Sequence, residues 1–563
     1  MAEEDKQNLW GVVDMGSNGI RFSISDLSPK SARVMPTLFQ ERIAISLYDV
    51  QYSDKGEKQP IPEEVMLSVT TEIARFKSIC HEFGIPSPRI KILATEATRE
   101  AMNSNIFLDQ ISIHTSAEIP VQMLPKSDEG KLGSFGIASS FHNASGIIMD
   151  LGGGSTQISY LLPEDNLKSG DDASINRYIS LPYGAAALKL RLAEAEKQGK
   201  AGKKKLHDEI KDALKQAYSD LNVPESLTQQ AETSGMNLYL SGGGFRAWGY
   251  LLMHTHDIAP YPIPHINGFS VPAARFYNTE PIKPCATTPT SIFRISKRRK
   301  TQIPAVAFLV EVLQDALPPT IKTVYFSQGG IREGFLWSQL PPEIRQQHPL
   351  IASTAGLGFQ PTGTANPLQT SLPPALLTPH NLTLTQTLLP LLQTHHSIPK
   401  DARASSALHF PITGLLASVH GLSHIDRAML ALALSERWGA DLPPCDTTFE
   451  KNLEEIVGVE RVWCAKWLGR VGALLGKVYP AGVVGMGGGS GERIRIKCEE
   501  MEEDKDKEGK KKKKNKKRGG VRVIVAVRGV DVRDEVSDLE KMGKWGKGEG
   551  VGWRVEVVVG GLE

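Results

Sequence analysis

Two stretches of the chain alternate between apolar and polar residues on either side of a glycine-containing turn. They cover residues 10–25 and 146–161, and each consists of an apolar run, a short turn and a second alternating run. A period of two residues with a glycine turn between the runs predicts a β-hairpin. Both turns begin with Asp-x-Gly, at Asp14 and Asp150, about 135 residues apart. This repetition predicts two related lobes, each offering one turn to a shared cleft.

Helical spacing alternates with short apolar runs between the two hairpins. Apolar residues recur at helical spacing between 63 and 83, and the apolar run 90–94 predicts a short strand. This alternation indicates a mixed α/β sheet with helices on its faces, and open sheets of this type bind ligands beyond their strand ends. Thr95, Arg99 and Glu129 follow predicted strands, so we expect them near the cleft.

Changes in composition divide the chain further. At 563 residues it is too long for one ordinary core. Beyond the second lobe, a stretch rich in Pro, Leu and Thr predicts a connecting segment with partial order, in which leucines recur at helical spacing only in short pieces such as 382–392. Helical spacing then predicts a helical domain, and an acidic block followed by a lysine block predicts a disordered insertion. The predicted boundaries are a first lobe over 1–144, a second lobe over 145–338, the connecting segment over 339–404, the helical domain over 405–498, the charged insertion over 499–520 and a β-rich tail over 521–563.

Charge and cysteine content argue against several classes of protein. A formal net charge of +2 predicts no bulk attraction to nucleic acid or membranes, and five scattered cysteines indicate neither a disulfide framework nor a metal site. The acidic, polar start predicts no signal peptide, and no apolar run is long enough to span a bilayer. We therefore expect a cytoplasmic protein, and the lysine-rich segment leaves nuclear entry open.

The glycine turns carry the candidate chemistry. Three consecutive glycines, Gly152–Gly154, allow positive φ and a close approach of backbone amides to an anion. Ser155 and Thr156 add hydroxyl donors, and Asp150 adds a carboxylate able to hold a metal ion that bridges to the same anion. The arrangement predicts a phosphate site. For this motif by itself, a hairpin that needs glycines only for its turn remains the alternative.

Several motifs, in this order, resemble those of a known family. With the two hairpins, a third glycine turn at Gly242–Gly244 resembles the actin, heat-shock-protein-70 and sugar-kinase superfamily. Within it, the chain is most similar to the Ppx/GppA family of exopolyphosphatases and guanosine pentaphosphate phosphohydrolases, in particular to its fungal, retrograde-regulation branch. The motifs that carry the resemblance are Asp14 to Asn18 with Arg21, residues 94–103, residues 128–132, residues 150–156 and residues 329–334.

The resemblance implies a fold and a reaction. The implied fold class is α/β, a two-lobed actin-like ATPase (ribonuclease H-like) fold with a mostly helical C-terminal extension. The implied reaction removes a terminal phosphate from polyphosphate or guanosine pentaphosphate by attack of water, with Mg²⁺ as cofactor. A sugar or acetate kinase shares the hairpins, but the context of Glu129 and the segment 330–334 favour the phosphatase family.

Individual site residues follow from the resemblance. Glu129 matches the family's proposed catalytic base, Asp150 assists catalysis, and Asp14 and Asp150 are expected to hold Mg²⁺. The residues alone favour another interpretation, in which Ser127 caps a helix and Glu129 lies in its first turn. The expected phosphate-binding residues are Gly16, Ser17, Asn18, Arg21, Thr95, Arg99, Gly152, Gly153, Gly154, Ser155, Thr156, Gly242, Gly243 and Gly244.

One departure from the family pattern raises a second function. Bacterial members usually carry a glutamate where this chain has Gln157, which supplies no negative charge near the metal. The alternative is therefore a catalytically weak sensor that binds polyphosphate or a guanosine or adenosine nucleotide. The fungal resemblance implies that such a sensor acts in mitochondria-to-nucleus retrograde signalling through a protein partner. A homodimer is a further expectation.

Overall fold

The computed structural model describes most of the chain in two compact units. The first unit comprises Met1–Asp257, His265–Pro349 and Val419–Leu422, and the second comprises Ile258–Pro264, Leu350–Ser418 and Ser423–Glu563. Asn18 of the predicted phosphate site and residues 502–519 of the predicted charged insertion lie outside the described residues. The described residues are 7–17, 19–52, 57–115, 118–164, 178–355, 357, 366–481, 492–501, 520–548, 551 and 553–562.

A five-stranded sheet forms the first half of the first unit, in the order β3-β2-β1-β4-β5. β2 runs antiparallel to β1 and β3, whereas β4 runs parallel to β1 and β5. Gly16 faces Gly19 where the β1–β2 hairpin turns. The strands are β1 (Leu9–Gly16), β2 (Gly19–Asp26), β3 (Thr37–Ile43), β4 (Ile90–Ala94) and β5 (Val121–Met123).

A six-stranded sheet repeats this arrangement, in the order β10-β11-β9-β6-β7-β8. β7 is antiparallel to β6 and β8, and β9 is parallel to β6 and β11, so five of the strands copy the first sheet and β10 adds an antiparallel edge. The predicted two-lobed actin-like fold is confirmed by this duplication. The strands are β6 (Gly146–Leu151), β7 (Thr156–Leu161), β8 (Ile179–Leu181), β9 (Met236–Ser241), β10 (Ser270–Pro272) and β11 (Ile321–Phe326).

Helices cover both faces of the first sheet, as the alternation of its side chains requires. Val13 of β1 packs in a core with Phe76 of one helix, while its neighbour Val12 packs in another core with Phe135 and Trp337. Successive strand residues point to opposite faces, so a strand buried on both sides reads as continuously apolar. The helices of the first unit are Glu63–Glu82, Glu96–Arg99, Ser104–His114, Lys126–Ser139, Ala185–Lys197, Gly199–Asp220, Glu225–Thr233, Gly242–His254, Ala273–Tyr277, Lys297–Lys300, Ile303–Ala316, Ile331–Ser338 and Pro342–Arg345.

The second unit is mostly helical and ends in a small sheet. In that sheet β13 lies between β12, which is antiparallel to it, and β14, which is parallel. The helices are Pro367–Thr370, Pro379–Leu391, Lys400–His409, His424–Arg437, Pro444–Val457, Val459–Val478 and Arg533–Gly548, with Pro349–Ala352 where the chain leaves the first unit. The strands are β12 (Ile494–Glu500), β13 (Gly520–Val527) and β14 (Arg554–Gly561).

The segment 339–404, which we predicted to be a connecting segment with short helical pieces, contains packed helices, and one of them, Pro379–Leu391, covers most of the predicted piece 382–392. Pro379 occupies the first position of its helix, and the Thr378 hydroxyl accepts a hydrogen bond of 3.2 Å from the Asn381 amide. Proline is favoured at the first helical position because its missing N–H would be unpaired there. Leu384 and Leu388 of this helix are fully buried. Pro379 therefore begins the helix whose leucine spacing is visible in the sequence.

The predicted β-rich tail forms part of a three-stranded sheet within the second unit. β12 supplies the strand that pairs with β13, and it begins at the end of the segment 405–498 that we predicted to be a helical domain. Ile494 and Ile496 alternate with exposed residues in β12, which is the period of a strand. The Trp463 ring N–H donates to the Met542 carbonyl at 3.2 Å, so the helix between β13 and β14 is tied to the helical part of the unit.

The described residues include no helix that is both long enough and apolar enough to cross a membrane.

Candidate active site

A cavity of about 400 Å³ lies in the first unit and is lined by residues of both sheets. The β1–β2 turn, the β6–β7 turn and the residues after β9 all contribute to its wall. Most of the predicted site residues are thereby brought together from positions far apart in the sequence. Those that line the cavity are Asp14, Gly16, Ser17, Arg21, Thr95, Glu129, Asp150, Gly152, Gly153, Ser155, Gly242, Gly243 and Gly244.

Asp14 and Asp150 occupy equivalent places in the two hairpins. Asp14 lies opposite Arg21 across β1 and β2, and Asp150 lies opposite Gln157 across β6 and β7. Burial raises the pKa of Asp14, and the neighbouring Arg21, whose Nη1 lies 3.9 Å from Asp14 Oδ2, opposes this effect. Burial likewise raises the pKa of Asp150, which Arg246 opposes. The duplicated fold thus presents two carboxylates to one cavity, of which Asp14 is buried and Asp150 is half-buried.

Glu129 lies in the first turn of the helix Lys126–Ser139. The helix begins after Pro125 without a side-chain cap, so the alternative in which Ser127 caps it is wrong. The Arg99 Nη1 donates to Glu129 Oε2 at 3.3 Å and also to the Leu124 carbonyl. Burial raises the pKa of Glu129 to about 7 against the effect of Arg99. A carboxyl with this pKa changes its protonation state near neutral pH, as a general base does.

The triple-glycine turn is fixed by the helix that follows β8. The carbonyls of Gly152 and Gly153 accept hydrogen bonds of 3.0 and 2.9 Å from the amides of Ala185 and Ala186. A Cβ on Gly184, just before this helix, would lie 2.4 Å from the Gly153 carbonyl oxygen, so only glycine fits there. The turn therefore has a fixed backbone, which suits a site that must hold an anion without rearranging.

A chain of hydrogen bonds joins the β6–β7 hairpin to the helix Glu96–Arg99, which follows β4. The Gln157 amide donates to Ser155 Oγ, and Ser155 Oγ donates to Glu96 Oε2, both at 2.9 Å. The Tyr178 ring packs against Gly130, where a Cβ would lie 2.2 Å from Cδ2. Burial, with the charge of Glu129, raises the pKa of Tyr178 to about 12, which keeps its phenol neutral. The Ser155 hydroxyl thus joins the Glu96 carboxylate to the neutral Gln157 side chain.

Three predicted phosphate ligands have their polar groups engaged elsewhere. The Thr156 hydroxyl is buried and donates to the Tyr183 carbonyl at 2.8 Å, and the Thr95 hydroxyl donates to the Met15 carbonyl at 3.0 Å. Arg99 binds Glu129 and does not line the cavity. The sequence identifies these groups as donors but not the direction in which each side chain points, because that depends on neighbours from other strands.

Gly154 also differs from the expectation. It does not line the cavity, because the Tyr48 ring and the Glu96 carboxylate occupy the space on its side of the turn. A Cβ at this position would lie 3.2 Å from Tyr48 Cε2 and 3.4 Å from Glu96 Oε2. Gly154 therefore allows the first sheet's loops to approach the turn closely.

The third glycine turn is the start of a helix. Ser241 ends β9, and Gly242–His254 is helical from its first residue. Gly242 has φ +86°, and a Cβ there would lie 2.4 Å from the Leu151 carbonyl oxygen, so both conformation and space require glycine. The β9 strand and this helix thus bring a glycine backbone directly against the end of β6.

Four arginines that we did not predict also line the cavity. Arg246 follows the third glycine turn, Arg42 lies in β3, and Arg298 and Arg299 lie in the short helix Lys297–Lys300. Burial lowers the pKa of Arg246 to about 10 and of Arg299 to about 9, and the other arginines add to this effect. A run of four basic residues at 297–300 is visible in the sequence, but no pattern places it at the cavity.

The donor set suits Mg²⁺ through a small number of carboxylates. Among the residues that the structure describes, no group of three or more His, Cys, Asp or Glu side chains is placed to hold a metal ion. Mg²⁺ usually binds one or two carboxylates and completes its shell with water and substrate phosphates. Asp14 and Asp150 both line the cavity and are both hindered from ionising by burial, which a bound cation would relieve. These two residues therefore fit the ion.

Comparisons with known proteins agree with this architecture. The model of the Ppx/GppA phosphatase family matches residues 24–343, and that of the RTG2 C-terminal domain matches residues 349–562. Retrograde regulation protein 2 of Saccharomyces cerevisiae is 35% identical over 500 residues, which are 84% of this chain and 82% of that protein. A bifunctional 3-dehydroquinate synthase/phosphatase of Fusobacterium nucleatum is 23% identical over 31% of this chain and 25% of its own.

Two solved structures each match about three fifths of the chain. The Ppx/GppA enzyme of Aquifex aeolicus is 19% identical and covers 59% of this chain and 99% of its own, with a TM-score of 0.44. The exopolyphosphatase of Cytophaga hutchinsonii is 19% identical and covers 59% of this chain and 97% of its own, with a TM-score of 0.40.

The duplicated sheets and their shared cavity define a two-lobed protein of the actin-like class. The chain belongs to the Ppx/GppA phosphatase family, as the match over residues 24–343 and the yeast relative together show. The resemblance found in the motifs is therefore confirmed, including the similarity to Retrograde regulation protein 2.

Proposed function

We propose that this protein is a phosphohydrolase that removes a terminal phosphate from polyphosphate or guanosine pentaphosphate. One observation carries the proposal: Glu129, with a pKa of about 7, faces a cavity whose wall also holds Arg21, Arg246 and Arg299. A carboxylate of this kind beside clustered guanidinium groups suits proton transfer next to a highly charged phosphate chain. Positioning and charge neutralisation are most of what phosphoryl transfer requires.

The reaction would use the cavity as follows. The Glu129 carboxylate accepts a proton from water as the water oxygen attacks the terminal phosphorus. The bond between that phosphorus and the bridging oxygen breaks, and the bridging oxygen stays on the shortened chain. Arg99 holds Glu129 in place from outside the cavity, through the hydrogen bond to Oε2. Arg21 and Arg246 neutralise charge that builds up on the phosphate oxygens.

Backbone amides and hydroxyl groups would orient the phosphate chain. Ser17 and the glycine turn at Gly152 and Gly153 line the cavity on the sides of the two hairpins. Mg²⁺, when bound by Asp14 and Asp150, supplies further neutralisation of phosphate charge.

Phosphate release by the purified full chain tests this function. Polyphosphate, guanosine pentaphosphate, ATP and GTP are offered in parallel with Mg²⁺, to the wild type and to Glu129→Gln. We expect release from one of the first two ligands, and a loss of about a hundredfold or more in the variant, because general-base catalysis contributes at least that much. The matched control is Asp128→Asn, an exposed acid in the same helical turn, which should stay within about twofold.

A second candidate function is a phosphate or nucleotide sensor in retrograde signalling. It is favoured by Gln157, which donates to Ser155 Oγ and brings no charge to the cavity, and by the name of the yeast relative. In this case neither the wild type nor Glu129→Gln would release phosphate. One of the ligands would nevertheless raise the melting temperature of both, since binding to the folded state stabilises it.

Partners and location are part of the same proposal. We expect a cytoplasmic protein that binds a phosphate-rich small ligand, a protein partner in the signalling role, and a second copy of itself in a homodimer. The described residues offer no membrane-spanning helix. Size-exclusion chromatography with light scattering tests the homodimer directly.

A further inference from the structure

The helix His424–Arg437 ends in a buried arginine that has no acidic partner. Arg437 is 8% exposed, and among the residues that the structure describes its side chain takes part in no hydrogen bond and no ion pair. The acid beside it, Glu436, has its Oε1 atom 2.7 Å from Arg470 Nε instead. Because a buried charge is costly unless it is paired, this guanidinium group lacks the anion that such a group ordinarily has.

Two glycines of the facing helix, Val459–Val478, give the Arg437 side chain its space. A Cβ on Gly476 would lie 1.8 Å from Arg437 Nη2 and 2.5 Å from its Cζ, and a Cβ on Gly472 would lie 3.3 Å from its Cδ. The three atoms nearest to a Cβ on Gly476 all belong to this guanidinium group. Glycine inside a helix costs about 1 kcal/mol relative to alanine. The helix is therefore less stable than it could be at the position where it makes room for a cation.

A second arginine and an indole ring complete the cluster. The Cζ atoms of Arg437 and Arg403 lie over the Trp438 ring, 4.1 and 4.6 Å from its centroid. Arg403 Nη2 donates hydrogen bonds of 3.0 and 2.9 Å to the carbonyls of His396 and Ile398, which hold it there. A cation against an indole face gains about 0.5–2 kcal/mol, whereas taking an ion out of water costs several kcal/mol. The ring thus offsets only part of the cost of burying Arg437.

The charges that act on this cluster have the same sign. Burial and the charge of Arg403 lower the pKa of Arg437 to about 10. Burial and the charges of Arg437 and Arg403 lower the pKa of His396, whose ring centroid lies 5.1 Å from that of Trp438. Within the described part of the chain, no carboxylate opposes these two shifts. An anion at this place would offset both the repulsion between the arginines and the burial of Arg437.

We infer that Arg437 and Arg403 form an oxyanion site that binds a phosphate group, with Trp438 and His396 beside it. A planar guanidinium group presents paired donors that match two oxygens of a phosphate, so two such groups suit a ligand with a double negative charge. Inorganic phosphate and a small phosphate monoester both present these oxygens. All of the residues involved belong to the second unit, and they take no part in the reaction proposed for the first unit.

Fluorine NMR on the full-length chain, labelled with 5-fluorotryptophan, tests this site locally. The chain has eight tryptophans, and the signal of Trp438 is the one that Trp438→Phe removes. The labelled wild type is titrated with sodium phosphate, with glycerol 3-phosphate and, at matched ionic strength, with sodium chloride. The Trp438 signal should shift and saturate with at least one phosphate compound and should not move with chloride. The compound that binds more tightly identifies the source of the phosphate group.

Substitution of each arginine tests its part in binding. Arg437→Gln should raise the phosphate concentration at half-saturation about tenfold or more, because the charge-assisted hydrogen bonds of the buried cation are lost. Arg403→Gln changes a half-buried side chain, which is less prone to disturb folding, and should weaken binding in the same direction.

Two further variants separate the position of the cation from general effects of charge. Gly476→Ala keeps both arginines but displaces the guanidinium group of Arg437, so it should weaken phosphate binding about threefold or more. Alanine is the better helix former, so this variant should fold. Arg461→Gln removes an exposed arginine of the same helix and should leave half-saturation within about twofold of the wild type.

Two results would overturn this site. If neither phosphate compound moves the Trp438 signal, or if chloride moves it equally, no oxyanion site is present. If half-saturation is unchanged in both Arg437→Gln and Gly476→Ala, the buried guanidinium group does not bind the phosphate. Both results would leave the proposed function intact, since none of these residues belongs to the first unit.

Discussion

Replacement of Arg99 by glutamine should move the pH dependence of phosphate release. Arg99 Nη1 lies 3.3 Å from Glu129 Oε2, and the two side chains are 20% and 16% exposed, so solvent screens the pair only partly. An opposite charge at such a distance usually lowers the pKa of a carboxyl group by about one to three. Burial already raises the pKa of Glu129 to about 7 with Arg99 in place. Loss of the cation should therefore raise it by about one or more.

The magnitude follows from the ionised fraction of Glu129. A general base works only when deprotonated, so release by the wild type should rise with pH and reach half its plateau at about pH 7. With the rising limb moved up by about one pH unit, the ionised fraction at pH 7 falls from about one half to about one tenth. Release by Arg99→Gln should then be roughly fivefold lower at pH 7 and should recover near pH 9.

The assay is the initial rate of phosphate release between pH 5.5 and 9.5 with Mg²⁺ and saturating polyphosphate. Arg99→Lys keeps a cation beside Glu129 and should keep the rising limb near pH 7. Arg75→Gln is the matched control, since Arg75 pairs with Glu41 and Glu72 at the surface of the same lobe.

A clear result would refute this reasoning. If the rising limb of Arg99→Gln stays where it is in the wild type and only the plateau falls, Arg99 acts on folding or binding and not on the protonation of Glu129. If the wild type has no rising limb between pH 6 and 8, Glu129 is not the base.

Three further predictions concern stability and metal dependence. The folded protein has a raised Glu129 pKa, which stabilises it below pH 4.5, the ordinary pKa of a glutamate, and this stabilisation is lost as pH rises through about 7. At pH 8 the free energy of unfolding in urea should therefore be higher for Glu129→Gln than for the wild type by up to about 3 kcal/mol. No such gain is expected at pH 4.5. Equal differences at both pH values would contradict this. Gly242→Ala should lower the melting temperature far more than Gly199→Ala. Both glycines have positive φ, but only at Gly242 would the new Cβ contact backbone atoms, those of Leu151. Equal losses of melting temperature in the two variants would show that this contact is unimportant. Asp150→Asn should raise the Mg²⁺ concentration needed for half-maximal phosphate release about tenfold or more, whereas an unchanged requirement would remove Asp150 from the metal site.

Much of the fold and part of the site could be predicted from local sequence. The hairpins around Asp14 and Asp150 are visible because alternation and a glycine turn are short-range signals. Their repetition, with the motifs that resemble the Ppx/GppA family, leads to the two lobes and to Glu129. Each of these residues is fixed to its place by the strand or helix that immediately precedes or follows it.

The directions in which side chains point could not be predicted from the sequence. Thr156 stands beside Ser155 in the sequence, yet its hydroxyl donates to the Tyr183 carbonyl while that of Ser155 donates to Glu96. Neighbouring positions of an extended chain point to opposite sides, and which side faces the cavity depends on the strands that pair with it. The same limit applies to Arg99, whose partner Glu129 becomes its neighbour only when two helices pack.

In the C-terminal half, local signals were ambiguous. The frequent prolines of 339–404 predicted a connecting segment with only short helical pieces, and Pro379 occupies the first turn of one such helix, which is buried. Both uses of proline rely on the same fixed φ, and only the burial of Leu384 and Leu388 distinguishes them.

The sequence by itself therefore determined the two lobes, the family and the acidic and glycine residues of the cavity, since each is encoded in a short contiguous pattern. Only the tertiary structure decided that Arg42, Arg298 and Arg299 join them. These arginines come from an edge strand and a short helix with no periodic signal, and their place depends on contacts such as that of Arg298 with Asp49, far away along the chain. Because charge acts through space and not along the sequence, this cluster of arginines exists only in the folded chain.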